Sequence, residues 1–533
     1  MKMRLKIKGL VLVLCLCACG FSAVAQEKIS FAWEGFYWNV FGITATNGKQ
    51  FTVDWGDGSN IETITGTGNW QGIAHDYADS NHYMVIITGF TSDCLFTNLT
   101  VNDRGLTDLD INECTALEEL YCSDNKLTIL DLRANTALQY LNCMGNRLTN
   151  LALKENTALL YLNCLNNDLA DLAINANMTL QFLDCSHNRL PDLDVSEHIA
   201  LQSLICSYNQ LVSLNVSGCM ALQYLGCDNN RITGLDVSGC TALSSLGCSH
   251  NQLTGLDLNK NTALSGLSCS HNQLASLDLS TNTALYSVFC SSNQLTYLDI
   301  SKNMALERLH CSNNQLTNLG VDAAFGGFWE LECYDNRLHL SELHKIAKMG
   351  YFGSATLLLG TQKLVPQTVK VGQLVDFSAQ KEFDGIATVF AIEKEGLPAP
   401  ASDYAINDGI ITFYQRGNYT VTMTNDTIIS HKNFPAEVIA EFNVGNVSIA
   451  DAVQEIAEVK IYPNPTTGKI TIRNQESGMS SEIEVFDVVG RKLLSHTPLT
   501  SHSSPLIEID ISHLSAGLYF LKIDGKTVKV VKQ

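Results

Sequence analysis

The chemistry open to this chain rests first on its thiols. Its 533 residues include 18 cysteines. Ten of these (Cys122, Cys143, Cys164, Cys185, Cys206, Cys227, Cys248, Cys269, Cys290 and Cys311) recur every 21 residues, and Cys333 follows after 22. Such a column admits disulfides, metal thiolates, or small apolar groups filling a narrow core. Neighbouring members would stand one strand spacing apart with parallel side chains, whereas a disulfide needs side chains directed at one another. Metal thiolates come in close C-x-x-C pairs, and the sequence contains none. Buried free thiols are the preferred reading. Cys219 and Cys240 sit at a different repeat position. They are open to pairing, with free thiols preferred. His187, His250 and His271 share one further position, the last two 21 residues apart. They read as a hydrogen-bonding column, with a shared metal as the alternative.

Other catalytic signatures are missing. There is no H-E-x-x-H and no G-x-S-x-G. Gly42 to Gly48-Lys49-Gln50 has five intervening residues instead of a P-loop's four and lacks the following Ser or Thr. No catalytic residue, cofactor or metal site is expected, so the chain reads as a non-enzyme. Recognition is left to aromatic side chains. Tyr140, Tyr161 and Phe182 occupy one outward position on three successive repeats, with Tyr121 nearby and Tyr224 two repeats further on. Later repeats carry Ser245, Gly266 and Ser287 there, so the sheet does not require rings at this position. The five aromatics are the candidate ligand-binding residues. The three successive rings should stand about 4.8 Å apart and make one continuous apolar platform.

The element that must position them is the repeat itself. Its unit, T-A-L-x-x-L-x-C-S-x-N-Q-L-T-x-L-D-L-S-x-N, is nearly unaltered from Thr262 to Asn282. The register runs from 94 to 324, 231 residues or 11 units of 21, and a twelfth unit, shifted by one, spans Phe328, Leu331, Cys333, Asn336 and Leu338. The pattern L-x-x-L-x-C-x-x-N-x-L matches the leucine-rich repeat with cysteine in place of a leucine. Each unit is then one coil whose short strand turns Leu and Cys inward, and whose Asn satisfies backbone groups where the chain leaves the strand. Twelve stacked strands give a parallel sheet roughly 55 Å long. The fold class is mainly β: a 21-residue-repeat solenoid flanked by β-sandwich modules. The arrangement resembles the cysteine-ladder leucine-rich repeats of the internalin J type and of secreted Bacteroidetes proteins. That resemblance implies a cell-surface recognition protein.

A single compact core is excluded by the length, and wholesale disorder by a composition 45% hydrophobic and 17% charged. Residues 1–25 read as a signal peptide, with basic Lys2, Arg4, Lys6 and Lys8, an apolar stretch, and cleavage between Ala25 and Gln26. Lipidation at Cys19 is the alternative. Net charge is −20, or −24 without those four cations, which argues against a nucleic-acid partner. No transmembrane segment is expected in the mature chain. Residues 26–93, with Val53-Asp54-Trp55-Gly56-Asp57-Gly58, look like a PKD-type β module or an N-terminal cap. Asp54 and Asp57 read as turn residues in preference to calcium ligands, since two acids are too few for a full oxygen shell. The solenoid is placed at 94–340, a helical cap and connection at 341–365, an immunoglobulin-like sandwich at 366–445 and a linker at 446–458.

Residues 459–533 carry Ile461-Tyr462-Pro463-Asn464-Pro465-Thr466-Thr467-Gly468, then Val485-Phe486-Asp487-Val488-Val489-Gly490-Arg491, then Ser515-Ala516-Gly517-Leu518-Tyr519. These blocks closely resemble the type A C-terminal sorting domain of the Bacteroidetes type IX secretion system. The resemblance implies that Pro463, Asn464, Pro465, Gly468, Gly490 and Gly517 belong to the sorting motifs, and that the secretion machinery is a partner. It further implies a chain secreted or displayed on the outer surface, and it favours cleavage after Ala25. The functional expectation is binding of an extracellular protein or glycan, with a structural surface-layer component as the alternative.

Overall fold

The computed structural model describes residues 26–34, 39–322, 325–349, 351–430, 435–445, 460–462, 469–473, 483–487, 491–496, 506–523 and 526–532. The signal segment 1–25 and the linker 446–458 lie outside them. The chain divides into two compact units. One comprises residues up to 365 with 379–390 and 422–439; the other comprises 366–378, 391–421 and 440 onward.

The first unit contains the solenoid. Each coil contributes a strand of about three residues, such as Tyr140–Asn142, Tyr161–Asn163 and Phe182–Asp184, paired in parallel with the strands before and after it. Leucine at the middle of these strands, valine in Ser287–Phe289, and the cysteine just after it are fully buried. Burial pushes the thiols up, Cys143 and Cys333 to about 12 and Cys122 well beyond the usual range. All 15 described cysteines are free and buried.

Two ladders of polar side chains close the coils. In the first, Asn251 donates from Nδ2 to the carbonyls of Cys227 (3.0 Å) and Cys248 (3.1 Å), and its Oδ1 accepts from the amide of Ile232 (3.0 Å). The same bonds recur through neighbouring rungs such as Asn230 and Asn272. Donor and acceptor are both used, so no smaller or apolar side chain substitutes without orphaning backbone groups. In the second ladder, Asn261 donates to the carbonyls of Val237 and Cys240, but its Oδ1 is buried and accepts nothing; Asn135, Asn156, Asn177, Asn282 and Asn303 are the same. Only a donor is needed there. That explains why Cys219 and Cys240 can replace asparagine: their Sγ atoms donate to Val195 (3.1 Å) and Val216 (3.3 Å). His198 Nε2 likewise meets the Ile174 carbonyl at 3.2 Å.

The sheet has fifteen strands, and twelve belong to the expected repeats. Asn39–Ala45 and Trp70–His75, from the N-terminal module, extend it antiparallel at one end. Residues 26–93 thus contribute two strands to the solenoid sheet. Their core stacks Trp33 on Trp55 (6.3 Å) and Trp55 on His75 (4.7 Å). Asp54 Oδ1 accepts from Gly56 N and Asp57 Oδ1 from Ser59 N, which gives both acids turn roles. Burial would raise the Asp57 carboxyl, but bonds from Ser59 and His75 hold it at about 2.

At the other end the helix Leu340–Ala347 buries Leu340, Leu343 and Ile346. The strand Tyr351–Leu358 then joins the sheet in parallel. Gln362 donates to the carbonyls of Cys333 (2.9 Å) and Leu359 (2.7 Å) and accepts from Leu338 N (3.3 Å). It serves as one more rung, made with glutamine. The segment expected to be only a cap and connection thus adds a further coil. Its leucine-for-cysteine and glutamine-for-asparagine replacements hide it from the repeat pattern.

In the second unit, Leu374–Asp376, Ile410–Phe413 and Tyr404–Asn407 form an antiparallel sheet beside a buried ring cluster of Phe377, Phe413, Tyr419 and Phe442. The stretch 366–445, expected as one sandwich, is shared between the two units. Farther on, Lys460–Tyr462, Lys469–Arg473 and Leu506–Asp510 form one sheet. Lys492–His496, Ile483–Phe486, Gly517–Ile523 and Lys526–Lys532 form another. Ile470, Val485, Ile509, Tyr519 and Leu521 are in their shared core.

The two ladders should respond differently to one replacement. Asn251→Cys removes an acceptor that Ile232 N needs, and should cost roughly 2–4 kcal/mol. Asn261→Cys keeps the donor and should cost less than about 1 kcal/mol. Urea midpoints of both variants check this, and equal losses would refute it. At mildly alkaline pH the native ladder thiols should resist a thiol reagent, while denatured protein should react at nearly all of them.

Candidate functional site: the outward face of the solenoid sheet

Because the coils stack in register, outward side chains fall into two columns. The first runs Asn98, Glu119, Tyr140, Tyr161, Phe182, Ser203, Tyr224, and the second Thr100, Tyr121, Asn142, Asn163, Asp184, Ile205, Gly226. The structure places Tyr140, Tyr161 and Phe182 side by side, with centroids 5.5 and 4.4 Å apart and ring planes within 20° and 5°. Near-parallel rings at that spacing cover one another's faces. Stacked in this way on adjacent strands, the three rings make a ridge along the sheet.

Tyr121 belongs to the second column, opposite Asn142. Its hydroxyl reaches Glu119 Oε2 at 3.4 Å, and Asn98 Nδ2 donates to that oxygen at 2.6 Å. Burial and then the Glu119 charge push the Tyr121 phenol up, so it stays a donor. Tyr224 is separated from the stack by Ser203 and leans over Gly226, where an added Cβ would lie 3.3 Å from its ring.

One aromatic residue was not foreseen. Trp70, 59% exposed, sits on the antiparallel extension of the same sheet, and its Nε1 donates to Thr100 Oγ1 at 3.4 Å. Its indole covers Gly42, where a Cβ would come within 2.2 Å of Nε1. Thr100 in turn donates to Asn98 Oδ1 at 3.2 Å. Trp70, Thr100, Asn98, Glu119 and Tyr121 are thus linked through one hydrogen-bonded chain. Sequence periodicity missed Trp70 because it lies outside the 21-residue register.

The histidine column also resolves. His250 and His271 stack at 4.1 Å with planes 11° apart, and His187 stacks on Tyr208 at 4.2 Å. All four residues have positive φ. Nitrogen lone pairs lie in the ring plane, so face-to-face imidazoles do not converge on one ion. Burial first, then His250, pushes His271 down.

Residues 460–533 match the family described as the secretion system C-terminal sorting domain. This segment is a type IX sorting domain. The chain is accordingly exported to the cell surface or outside. Of its motif residues, Gly517 opens the strand Gly517–Ile523, whereas Pro463, Asn464, Pro465, Gly468 and Gly490 lie outside the described residues. Among solved structures the chain is similar to the functional domain of InlJ from Listeria monocytogenes, which includes a cysteine ladder. Identity is 25%, covering 66% of this chain and 90% of that one, with a TM-score of 0.39. An internalin, inlF, of the same organism gives 23% identity, 48% and 86% coverage and a TM-score of 0.38. Ulvan lyase NLR42 of Nonlabens ulvanivorans is 28% identical over 127 residues, 23% of this chain and 22% of the lyase. The chain thus spans about a fifth of that relative's length. No helix among the described residues is long and apolar enough to cross a membrane.

Removing residues 459–533 should leave the protein in the periplasm of the producing bacterium. Cell fractionation reads this directly, and undiminished surface display of the truncated chain would contradict it.

Proposed function

We propose that this exported leucine-rich-repeat protein is a non-enzymatic recognition protein that binds an extracellular macromolecule, a protein or a glycan, at the N-terminal half of the outward face of its sheet. The supporting observation is the concentration of rings there. Tyr140, Tyr161 and Phe182 form an outward ridge, Tyr121 and Trp70 are held beside it by hydrogen bonds, and Tyr224 lies beyond Ser203. The same column continues as Ser245, Gly266 and Ser287, where the parallel sheet goes on with no ring at this position. The aromatics are therefore surplus to folding, and Trp70, Tyr140 and Tyr224 remain 59, 38 and 41% exposed. Rings fixed in place lose little entropy on binding, and their hydroxyl and indole N–H groups add direction.

A structural surface-layer role without a specific ligand is the alternative. A lyase-like activity has only the short similarity to ulvan lyase behind it. The domain boundaries given above, and export by a signal peptide cleaved between Ala25 and Gln26, belong to the same proposal.

A glycan and extracellular-protein array probed with the full chain should yield a ligand. Tyr161→Ala, at the centre of the ridge, should weaken its binding roughly 30-fold, the equivalent of about 2 kcal/mol. Ser268→Ala, farther along the sheet, should change affinity little. Thermal midpoints measured alongside separate lost binding from lost stability. A folded Tyr161→Ala variant that binds as tightly as the parent would move the site off the ridge.

A further inference from the structure

The other end of the same sheet carries a group of donors that the recognition ridge does not use. The strands Arg308–His310 and Phe328–Glu332 are the last two of the cysteine-bearing repeats. Their register sets His310 opposite Glu332 and Arg308 opposite Glu330. Alternate residues of a strand share a face, so all four side chains belong to the outward columns. His310 Nε2 lies 3.3 Å from Glu330 Oε1, and its Nδ1 lies 3.8 Å from Glu332 Oε2. Taking one donor atom from each of the three residues, all lie within 4.8 Å of one another.

Two further observations separate this group from an ordinary surface ion pair. His310 Nε2 is enclosed and makes no hydrogen bond, so its close approach to Glu330 is not accounted for by an aligned N–H. The Phe289 ring of the preceding strand meets the imidazole at 4.6 Å and 62°, which fills one side of the histidine. Arg308 Nε is 3.9 Å from Glu330 Oε2, with both side chains substantially exposed. A contact of that kind holds a carboxylate only weakly.

We propose that His310, Glu330 and Glu332 form a divalent-cation site suited to zinc. Zinc binds imidazole nitrogen and carboxylate oxygen at about 2.0–2.2 Å, so two donors on one tetrahedron stand roughly 3.4 Å apart. His310 Nε2 and Glu330 Oε1 are already at that separation. Glu332, whose nearer contact is to Nδ1, reaches an ion on Nε2 by rotation about its own side-chain bonds, one donor atom from each of the three residues lying within 4.8 Å of the others. One nitrogen and two carboxylates suit zinc, whereas calcium prefers six to eight oxygens and magnesium a largely hydrated octahedron. Three protein ligands leave a fourth position open on the outward face of the sheet, available to water or to an anionic group of a bound molecule. The site is independent of the aromatic ridge, and either can fail without the other.

The test is calorimetric titration of the full chain, stripped with a chelator, using zinc chloride alone and, in parallel, magnesium and calcium chlorides. The expected result is one zinc per chain, a higher thermal midpoint with zinc than with chelator, and no comparable response to the other two ions. Glu332→Gln and His310→Ala should each weaken zinc binding at least about 30-fold, while His250→Ala, in the stacked pair, should leave it intact. Cobalt in place of zinc reports the ligands in the unaltered protein, so the test stands even if a variant folds poorly. Tetrahedral or five-coordinate d–d bands without a thiolate charge-transfer band support the site. A thiolate band would assign the ion to the cysteines and overturn the proposal. So would the absence of zinc binding at millimolar concentration, or zinc binding unchanged in folded Glu332→Gln.

Discussion

The constraint on which the solenoid depends is the asparagine that ties each coil to the one before it. Its amide bonds two cysteine carbonyls 21 residues apart and its carbonyl oxygen takes an amide proton from the preceding coil, as at Asn251. A buried primary amide is costly unless satisfied, and here both of its ends are used. The bonding pattern fixes the spacing from cysteine to asparagine, as between Cys248 and Asn251 and between Cys333 and Asn336, while the rest of the coil can absorb an insertion. The single extra residue before Cys333 is accommodated outside the strand, and Asn336 still reaches the carbonyls of Cys311 and Cys333, each at 3.0 Å.

Chemical tolerance in the other columns follows from what each position must supply. Where only a donor is required, cysteine and histidine stand in for asparagine, and Cys219 and Cys240 spend their S–H on backbone carbonyls. At the inward position after each strand a thiol fills the space in most coils, and full burial keeps it protonated and inert. Outside the coil the constraint disappears. The outward columns pass from rings to serine and glycine to charged residues along one continuous sheet, so different ends of that face can carry different chemistry.

Both ends of the sheet show how a repeat is stopped. An open parallel edge would expose unpaired backbone groups. At the start, antiparallel strands of the N-terminal module cover it, and the buried Glu27 carboxylate accepts the amides of Phe96 (2.5 Å) and Ala116 (3.2 Å). At the end, a helix and a coil closed by Gln362 perform the same task. The glutamine keeps the amide chemistry of the ladder after the cysteine and asparagine signature has ended.

The sequence by itself determined the coil, the ladders, the thiol column and the export address. A 21-residue period with Leu, Cys and Asn at fixed offsets leaves one way to bury the apolar residues and satisfy the amides. Tyr140, Tyr161 and Phe182 were legible as one column for the same reason. Tertiary structure alone decided how those rings face, since stacking depends on strand spacing and side-chain torsions that a period does not encode. It also brought Trp70 onto the sheet from a module without the repeat, over a glycine whose missing Cβ makes the room. His310, Glu330 and Glu332 are 20 and 22 residues apart, on either side of an insertion that breaks the period. Only the folded register, pairing strand with strand across that insertion, sets their donor atoms together.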